Sequence, residues 1–352
     1  MASFESWSVL TADFVIVLYL MLGGVTLAAL LRLCGAKWRY EVRNIAVSSF
    51  ALYPVAFVLL IILLVAGKST FPWLTMHYLN DPSGRILAHE HLPGWHNYVF
   101  LVVREIGGFA LVAMLYARFI KLQAVSDQNK ENWNRFKQIA YWVPVAYVLY
   151  GTMVAWDFEM TMLPDWESSI YGMYNFVSNF SMFLSFTVTL IYFLGKNNRL
   201  VKPMPDYVYN YFAQMLLAFT ILWIYLFFSQ YLTIWYGNLP DERNRIESMQ
   251  NGDYSALWWI FFACKFVIPF VFLVFSYIRH SPTAIVLVAC TIMFGTWLER
   301  YTWISGTYPS GPYVQSHMPM TGIFDIVVTI AIVAVSYILI RRSLARNKVI
   351  QI

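Results

Sequence analysis

Charge is the scarcest commodity in this 352-residue sequence: 12% of it is Asp, Glu, Lys or Arg, about half the share of a soluble domain. With 59% of the residues hydrophobic, a soluble chain of this length would have more apolar surface than one core can hide. Cysteine is nearly absent. Cys34, Cys264 and Cys290 lie far apart with no CxxC pairing, which argues against a disulfide framework or a zinc site. Histidine is missing from every apolar run: His77, His89, His91, His96, His280 and His317 all fall in loops or at run ends. A cytochrome of the b type needs axial imidazoles deep in its helices, so a haem-b core is disfavoured and no bound redox metal is expected. The N-terminus has no basic n-region, and its apolar run is longer than that of a cleaved signal, so it reads as a retained first helix.

What remains is a series of apolar runs of about twenty residues, each able to span some 30 Å of hydrocarbon as a helix. Backbone in lipid must satisfy its own hydrogen bonds, which makes these runs helices. The reading is an all-α integral membrane protein, a single polytopic domain over 1–352. Its nine spans lie near 14–33, 45–66, 98–120, 139–158, 168–194, 209–235, 256–278, 282–304 and 322–341. Trp and Tyr, 14 and 24 in number, are enough to furnish interfacial belts. The basic residues alternate with the spans. Arg32, Lys37, Arg39, Arg43, Arg118, Lys121, Lys130, Arg135, Lys137, Lys196, Arg199, Lys202, Arg279, Arg341, Arg342, Arg346 and Lys348 fall on one side. Only Lys68, Arg85, Arg243 and Arg245 fall on the other. The rule that cytoplasmic loops carry the basic excess puts the N-terminus outside and the C-terminus in the cytoplasm. The formal charge of +5 is therefore topological and no sign of nucleic-acid binding. The outer connections 67–97 and 236–255 are long and polar, and 305–321 has no Lys, Arg, Asp or Glu. They read as solvated loops or as a docking surface for a peripheral partner.

Ionisable residues inside a bilayer are costly and mark a functional path by default. Arg104 and Glu105 lie about 9 Å below the outer end of their span, and Glu299 and Arg300 about 25 Å from the cytoplasmic start of theirs. Asp157 closes the fourth span, Asp325 opens the ninth, and Gln230 is near the outer end of the sixth. The charges converge on one outer level, whereas Lys265, near mid-depth, stands apart. Two readings stay open. The arginines neutralise buried carboxylates and fix helix packing, or a carboxylate relays protons with Lys265 as an inner relay. The fifth span has a polar stripe, Ser178, Ser181, Ser185 and Thr189 with Asn175 and Asn179 beside it. Such small residues serve tight helix packing or line a water route.

Two stretches have a familiar pattern. Trp156-Asp157, Glu159 through Trp166, then Ser168-Ser169-Ile170-Tyr171-Gly172 resemble the VDWxMSLEPHWxSTxxG signature of the ActF subunit of bacterial alternative complex III. Phe228 through Tyr231 and Ile234 through Glu242 resemble that family's FSQFxxIWYxNLPEE. Weaker echoes are Lys265 through Phe270, Glu299 ahead of Tyr301, and Asp325, so that the likeness runs over nearly the whole chain. Leu163 and Asp165 stand where the family has Glu and His, with Glu159 as a neighbouring carboxylate, and the family's first helix has no counterpart.

The resemblance implies a fold like the polysulfide-reductase (NrfD) membrane anchors, two four-helix bundles side by side, in the bacterial inner membrane. It implies a subunit, not catalytic alone, of a quinol:cytochrome c oxidoreductase in a respiratory chain. Its partners would be an ActC-like sister membrane subunit, a periplasmic iron–sulfur subunit, multihaem cytochrome c subunits and lipids. Haem c and iron–sulfur clusters would reside in those partners, and the chain itself would bind no cofactor beyond a quinone at the bundle surface. Glu105, Asp157, Glu159, Lys265, Glu299 and Asp325 are then candidate members of a proton path, and Arg104 and Arg300 their charge partners. Gln230, Trp235 and Tyr236 are the candidate quinone-proximal residues. Two other classes stay open, a secondary transporter coupled through buried carboxylates and a pure assembly scaffold.

Overall fold

The computed structural model describes residues 4–74, 94–164, 166–306, 320 and 322–351. Among them every regular element is helical: α1 (Phe4–Leu33), α2 (Arg39–Val47), α3 (Tyr53–Val65), α4 (Gly67–Thr70), α5 (Tyr98–Val125), α6 (Lys130–Phe158) and α7 (Tyr171–Lys196), then α8 (Asp206–Gly237), α9 (Pro240–Asn251), α10 (Ser255–Phe262), α11 (Ile268–Leu273), α12 (Ser276–Arg279), α13 (Pro282–Ser305) and α14 (Ile323–Arg346). Nine segments of the described residues are long and apolar enough to cross a membrane, which makes this an all-α, multi-pass membrane protein. Its surface is the inverse of a soluble one. Leu111, Leu149 and Leu287 are 66%, 68% and 66% exposed while Glu159, Glu299 and Arg300 are fully buried, the partition expected when the surroundings are lipid.

Local chemistry sets the helix ends. The Asn97 side chain accepts from Phe100 N and that of Asn129 from Asn132 N, capping α5 and α6 where orphan backbone donors need a partner. α8 stops at Asn238, whose left-handed conformation (φ 51°) is a common helix terminator. Two spans depart from the single helices expected of them. The second is α2, a 3-10 turn over Ser48–Leu52, and α3. α1 crosses this turn so closely that a Cβ on Gly24 would overlap the Ala46 carbonyl oxygen and the Ser49 hydroxyl. The seventh, expected over 256–278, is α10, a π turn at Ala263–Val267, and α11, ending at Leu273. Arg279 donates to the carbonyls of Leu273 and Val274, filling acceptors that a continuing helix would have used. The stretch 236–255, read from sequence as a loop, contains the helix α9.

α1, the α2–α3 span, α5 and α6 pack as one group of four spans, and α7, α8, the α10–α11 span and α13 as another. α7 joins the groups by packing on α6 and α1, α13 by packing on α1, and α14 lies outside them against α1 and the 3-10 turn. On one side of the molecule the short connections touch. Lys202 pairs with Glu41, Arg43 with Asp127, Asn347 donates to Ser48, and Leu200 bridges to Ile350. The basic loops identified from sequence therefore share one face. Residues 305 and 306 end the eighth span, whereas most of the uncharged 305–321 connection, along with His77, Arg85, His89, His91, Asp165 and His317, lies outside the described residues.

Candidate functional site

The intramembrane charges form three groups, where the sequence was read as one converging level. The largest occupies the junction of α6, α7, α8, the π turn and α13. Glu159 directly follows α6 and is fully buried. It accepts from Tyr171 Oη at 2.5 Å and Asn175 Nδ2 at 2.9 Å, and lies 2.5 Å from Arg300 Nη1. Arg300 Nη2 sits 3.2 Å from Glu299 Oε1. Glu299 in turn accepts from Trp223 Nε1 at 2.9 Å, from Tyr174 Oη and from Ser178 Oγ. Its second oxygen is 3.6 Å from Lys265 Nζ, which donates to Thr296 Oγ1 at 2.7 Å and Ser178 Oγ at 3.0 Å. Two carboxylates face two cations, the balance that makes burying four charges tolerable.

Lys265 therefore does not stand apart, and the reason is local. It sits in the π turn, which inserts one extra residue into the helix and is a frequent device at functional sites. Pro269, four residues on, has no N–H to offer the Lys265 carbonyl, which favours the wider turn. Gly295 on α13 leaves the room: a Cβ there would stand 2.7 Å from Cys264 Cβ and 3.1 Å from Lys265 Cγ. Tyr174 and Ser178, four residues apart on one face of α7, both reach Glu299. Polar atoms thus run unbroken from Glu159 through Arg300, Glu299 and Ser178 to Lys265. Carboxyl, hydroxyl and amine groups can hand on protons, whereas the guanidinium serves as a fixed charge. Beyond Ser178 the stripe closes on its own helix: Ser185 donates to Ser181 O and Asn179 to Asn175, while Thr189 Oγ1 is buried without a partner. Among the described residues, these bonds of the stripe stay within α7.

The second group lies between α5 and α6. Arg104 grips Asp157 with two bonds, Nε to Oδ2 at 2.7 Å and Nη2 to Oδ1 at 2.6 Å, the strong bidentate form. Trp95 Nε1 donates to Asp157 at 2.6 Å, and the guanidinium lies 4.1 Å over the Trp95 ring. Glu105 is fully buried beside Asp157. Tyr150 Oη donates to one of its oxygens at 3.3 Å, and the other has no partner. One cation here serves two carboxyl groups. Asp157 and Glu159 are two residues apart, so the end of α6 is where both groups meet.

The third group was overlooked in the sequence because Asp13 precedes the first expected span. α1 begins at Phe4, which carries Asp13 well inside the helix. There it accepts from Trp297 Nε1 at 2.9 Å and Thr329 Oγ1 at 2.5 Å. Asp325, one turn before Thr329 on α14, is 4% exposed with Oδ1 unpartnered. Arg245 is a second omission, having been placed among the solvated loop cations. It is fully buried, donating to the carbonyls of Glu159, Met160 and Trp303 at 2.7 to 3.0 Å, with its guanidinium 4.5 Å from the Trp166 ring. No periodicity of α9 singles out this residue. Replacing Arg245 with Met removes three charge-assisted bonds, each with a net value of about 1.5–3 kcal/mol. The expected result is that α9 detaches and residues 240–251 become cleavable by protease in gently solubilised membranes. Unchanged protection would show that other contacts hold α9.

Gln230, Trp235 and Tyr236 are not brought together. Gln230 faces inward at 5% exposure, while Trp235 and Tyr236, at the end of α8, are 62% and 84% exposed. His96 and His280 lie outside the nine spans, and no cluster of His, Cys, Asp and Glu among the described residues could hold a metal. The chain matches no protein-family model, and no curated protein matches it significantly.

Proposed function

We propose that this chain is an ActF-like membrane subunit of a quinol:cytochrome c oxidoreductase of the alternative complex III type. In this reading it lies in a bacterial inner membrane with its N-terminus outside and its C-terminus in the cytoplasm. It binds no metal itself and contributes a proton path, while a sister membrane subunit, a periplasmic iron–sulfur subunit and multihaem cytochrome c subunits carry the electrons. The observation that carries the reading is the buried Glu159–Arg300–Glu299–Lys265 network. A scaffold would have no need of two carboxylates and a lysine linked through hydroxyls at full burial, since apolar residues pack as well at lower cost. The grouping of eight spans into two sets of four, with α14 outside them, supports the resemblance to the NrfD-type anchors. The face shared by the basic loops supports the orientation.

Deleting the chain is expected to abolish quinol-dependent reduction of cytochrome c by isolated membranes, and re-expression to restore it. Retention of that activity in the deletion strain would overturn the proposal. A secondary transporter is the competing reading. It is favoured by the interruption of the seventh span at residues 263–267, because broken helices near buried charges are how such proteins build ion sites. In that case the deletion would leave quinol oxidation untouched.

A further inference from the structure

Of the nine spans α14 is the least buried, with Asp325, Ile340 and Leu344 as its inward residues. It packs on α1, the 3-10 turn and α3, and beside that contact, at its basic end, lies a crevice of about 460 Å³. One part of the lining is apolar: Phe50 and Ala51 from the 3-10 turn, Ile120 of α5 and Leu339 of α14. The Phe50 ring, 5.8 Å from Tyr53 and 6.4 Å from Tyr116, makes a fixed wall. The other part is the polar end of α14, with Arg342, Ser343, Arg346 and Asn347. Asn347 Nδ2 donates to Ser48 Oγ at 2.8 Å, which ties this end of α14 to the turn.

Charge and depth narrow what fits. Arg342 and Arg346 are one turn apart on the same face of α14, with Cβ atoms about 5–6 Å from each other, so both can reach one small group. Both are exposed. Carboxylates on this face are engaged elsewhere, Glu41 with Lys202, Asp127 with Arg43 and Glu131 with Arg135, and none among the described residues pairs with Arg342 or Arg346. A helix C-terminus carries about half a negative charge, which the two full positive charges outweigh. The backbone N–H groups of Asn347, Lys348 and Val349 also satisfy the carbonyls of Ser343, Ala345 and Leu344. The mouth of the crevice therefore attracts an anion. Counted from Ile323, Arg342 lies about 28 Å along α14, close to the full thickness of about 30 Å of hydrocarbon. The charged mouth is thus at headgroup level, and Leu339, about 24 Å along, is below it among acyl chains. A soluble anion would leave the apolar walls bare, and a neutral lipid would leave the arginines unanswered.

We infer that this crevice holds an acidic phospholipid of the leaflet at the basic face, its phosphate bridged by Arg342 and Arg346 and one acyl chain lying against Phe50, Ile120 and Leu339. The guanidinium fork matches phosphate oxygens in pairs, and basic pockets between transmembrane helices are suited to such head groups. The lipid fills the space between α14 and α5 and so holds the outlying helix to the bundle. The inference goes beyond the respiratory reading and does not depend on it.

The test counts lipid adducts on the full chain by native mass spectrometry after delipidation in a neutral detergent, with palmitoyl-oleoyl phosphatidylglycerol or phosphatidylcholine as the probe. The wild type is expected to bind its first phosphatidylglycerol about 30-fold more tightly than phosphatidylcholine, roughly fivefold for each arginine. Arg342→Gln combined with Arg346→Gln should abolish that preference. Ala51→Phe, which fills the crevice and changes no charge, should weaken phosphatidylglycerol binding about tenfold, the effect of overpacking a filled space. Lys196→Gln combined with Arg199→Gln, elsewhere on the same face, should leave binding as in the wild type, and so should a large excess of inorganic phosphate. All variants are compared in protein that elutes as the wild type does. Equal binding of the two lipids by the wild type would overturn the site and leave the arginines to an acidic segment of a partner protein. An equal loss of preference in the Lys196 and Arg199 variant would overturn it in favour of general attraction to the basic face. Displacement by phosphate would overturn it in favour of a free anion.

Discussion

Glu299→Gln is expected to lower quinol turnover by about 100-fold, the lower end of the range for a lost proton-transfer group, while the complex still assembles. Gln is close in shape to Glu and keeps an oxygen to accept from Tyr174, Ser178 or Trp223, the three donors now on this carboxylate. Arg300 retains Glu159 at 2.5 Å, and Lys265 retains Ser178 and Thr296. What the substitution removes is the acid that lies between Arg300 and Lys265, and with it the group able to exchange a proton with Lys265 through Ser178. Quinol oxidation by membranes, normalised to assembled complex on a native gel, checks this. Wild-type turnover in an assembled Glu299→Gln complex would reduce the network to a packing device.

Arg300→Met has the opposite signature: the chain is expected to be lost before activity can be read. Arg300 sits between both carboxylates, 2.5 Å from Glu159 and 3.2 Å from Glu299. Without it Glu159 loses its ion-pair partner and Glu299 is left with Lys265. Breaking a buried pair in this way costs about 3–5 kcal/mol, a large part of the roughly 5–15 kcal/mol that holds a typical protein folded. The amount of full-length chain in the membrane should fall several-fold. Arg300→Lys, which retains the charge without the forked geometry, should restore part of it. Normal accumulation of the Met variant would mean that the carboxyl groups are compensated by something other than this guanidinium.

The spans were legible in the sequence because hydropathy over twenty residues depends on no partner, and the alternation of basic loops showed which connections share a face. Buried charge was legible as charge, since Glu105, Asp157, Glu299 and Arg300 stand out in apolar surroundings. Their pairing was not legible. Glu159 meets Arg300 across 141 residues and Tyr174 meets Glu299 across 125, and only packing decides such contacts. Lys265 looked isolated because depth was counted along an unbroken α-helix, and the π turn shifts its direction. Asp13 was passed over because an apolar run that begins one residue later takes its first acid for the water side. Arg245 gave no signal, lying in a polar helix whose buried side is defined by the carbonyls it meets.

The most direct test of the central claim is gentle solubilisation of native membranes, retrieval through a tag at the C-terminus, and an optical spectrum and subunit inventory of what comes with the chain. The account predicts haem c absorbance together with a large iron–sulfur protein and a second polytopic subunit, in constant proportion to the chain. A colourless preparation of this chain alone, reproduced in mild detergent, would contradict it and favour the transporter.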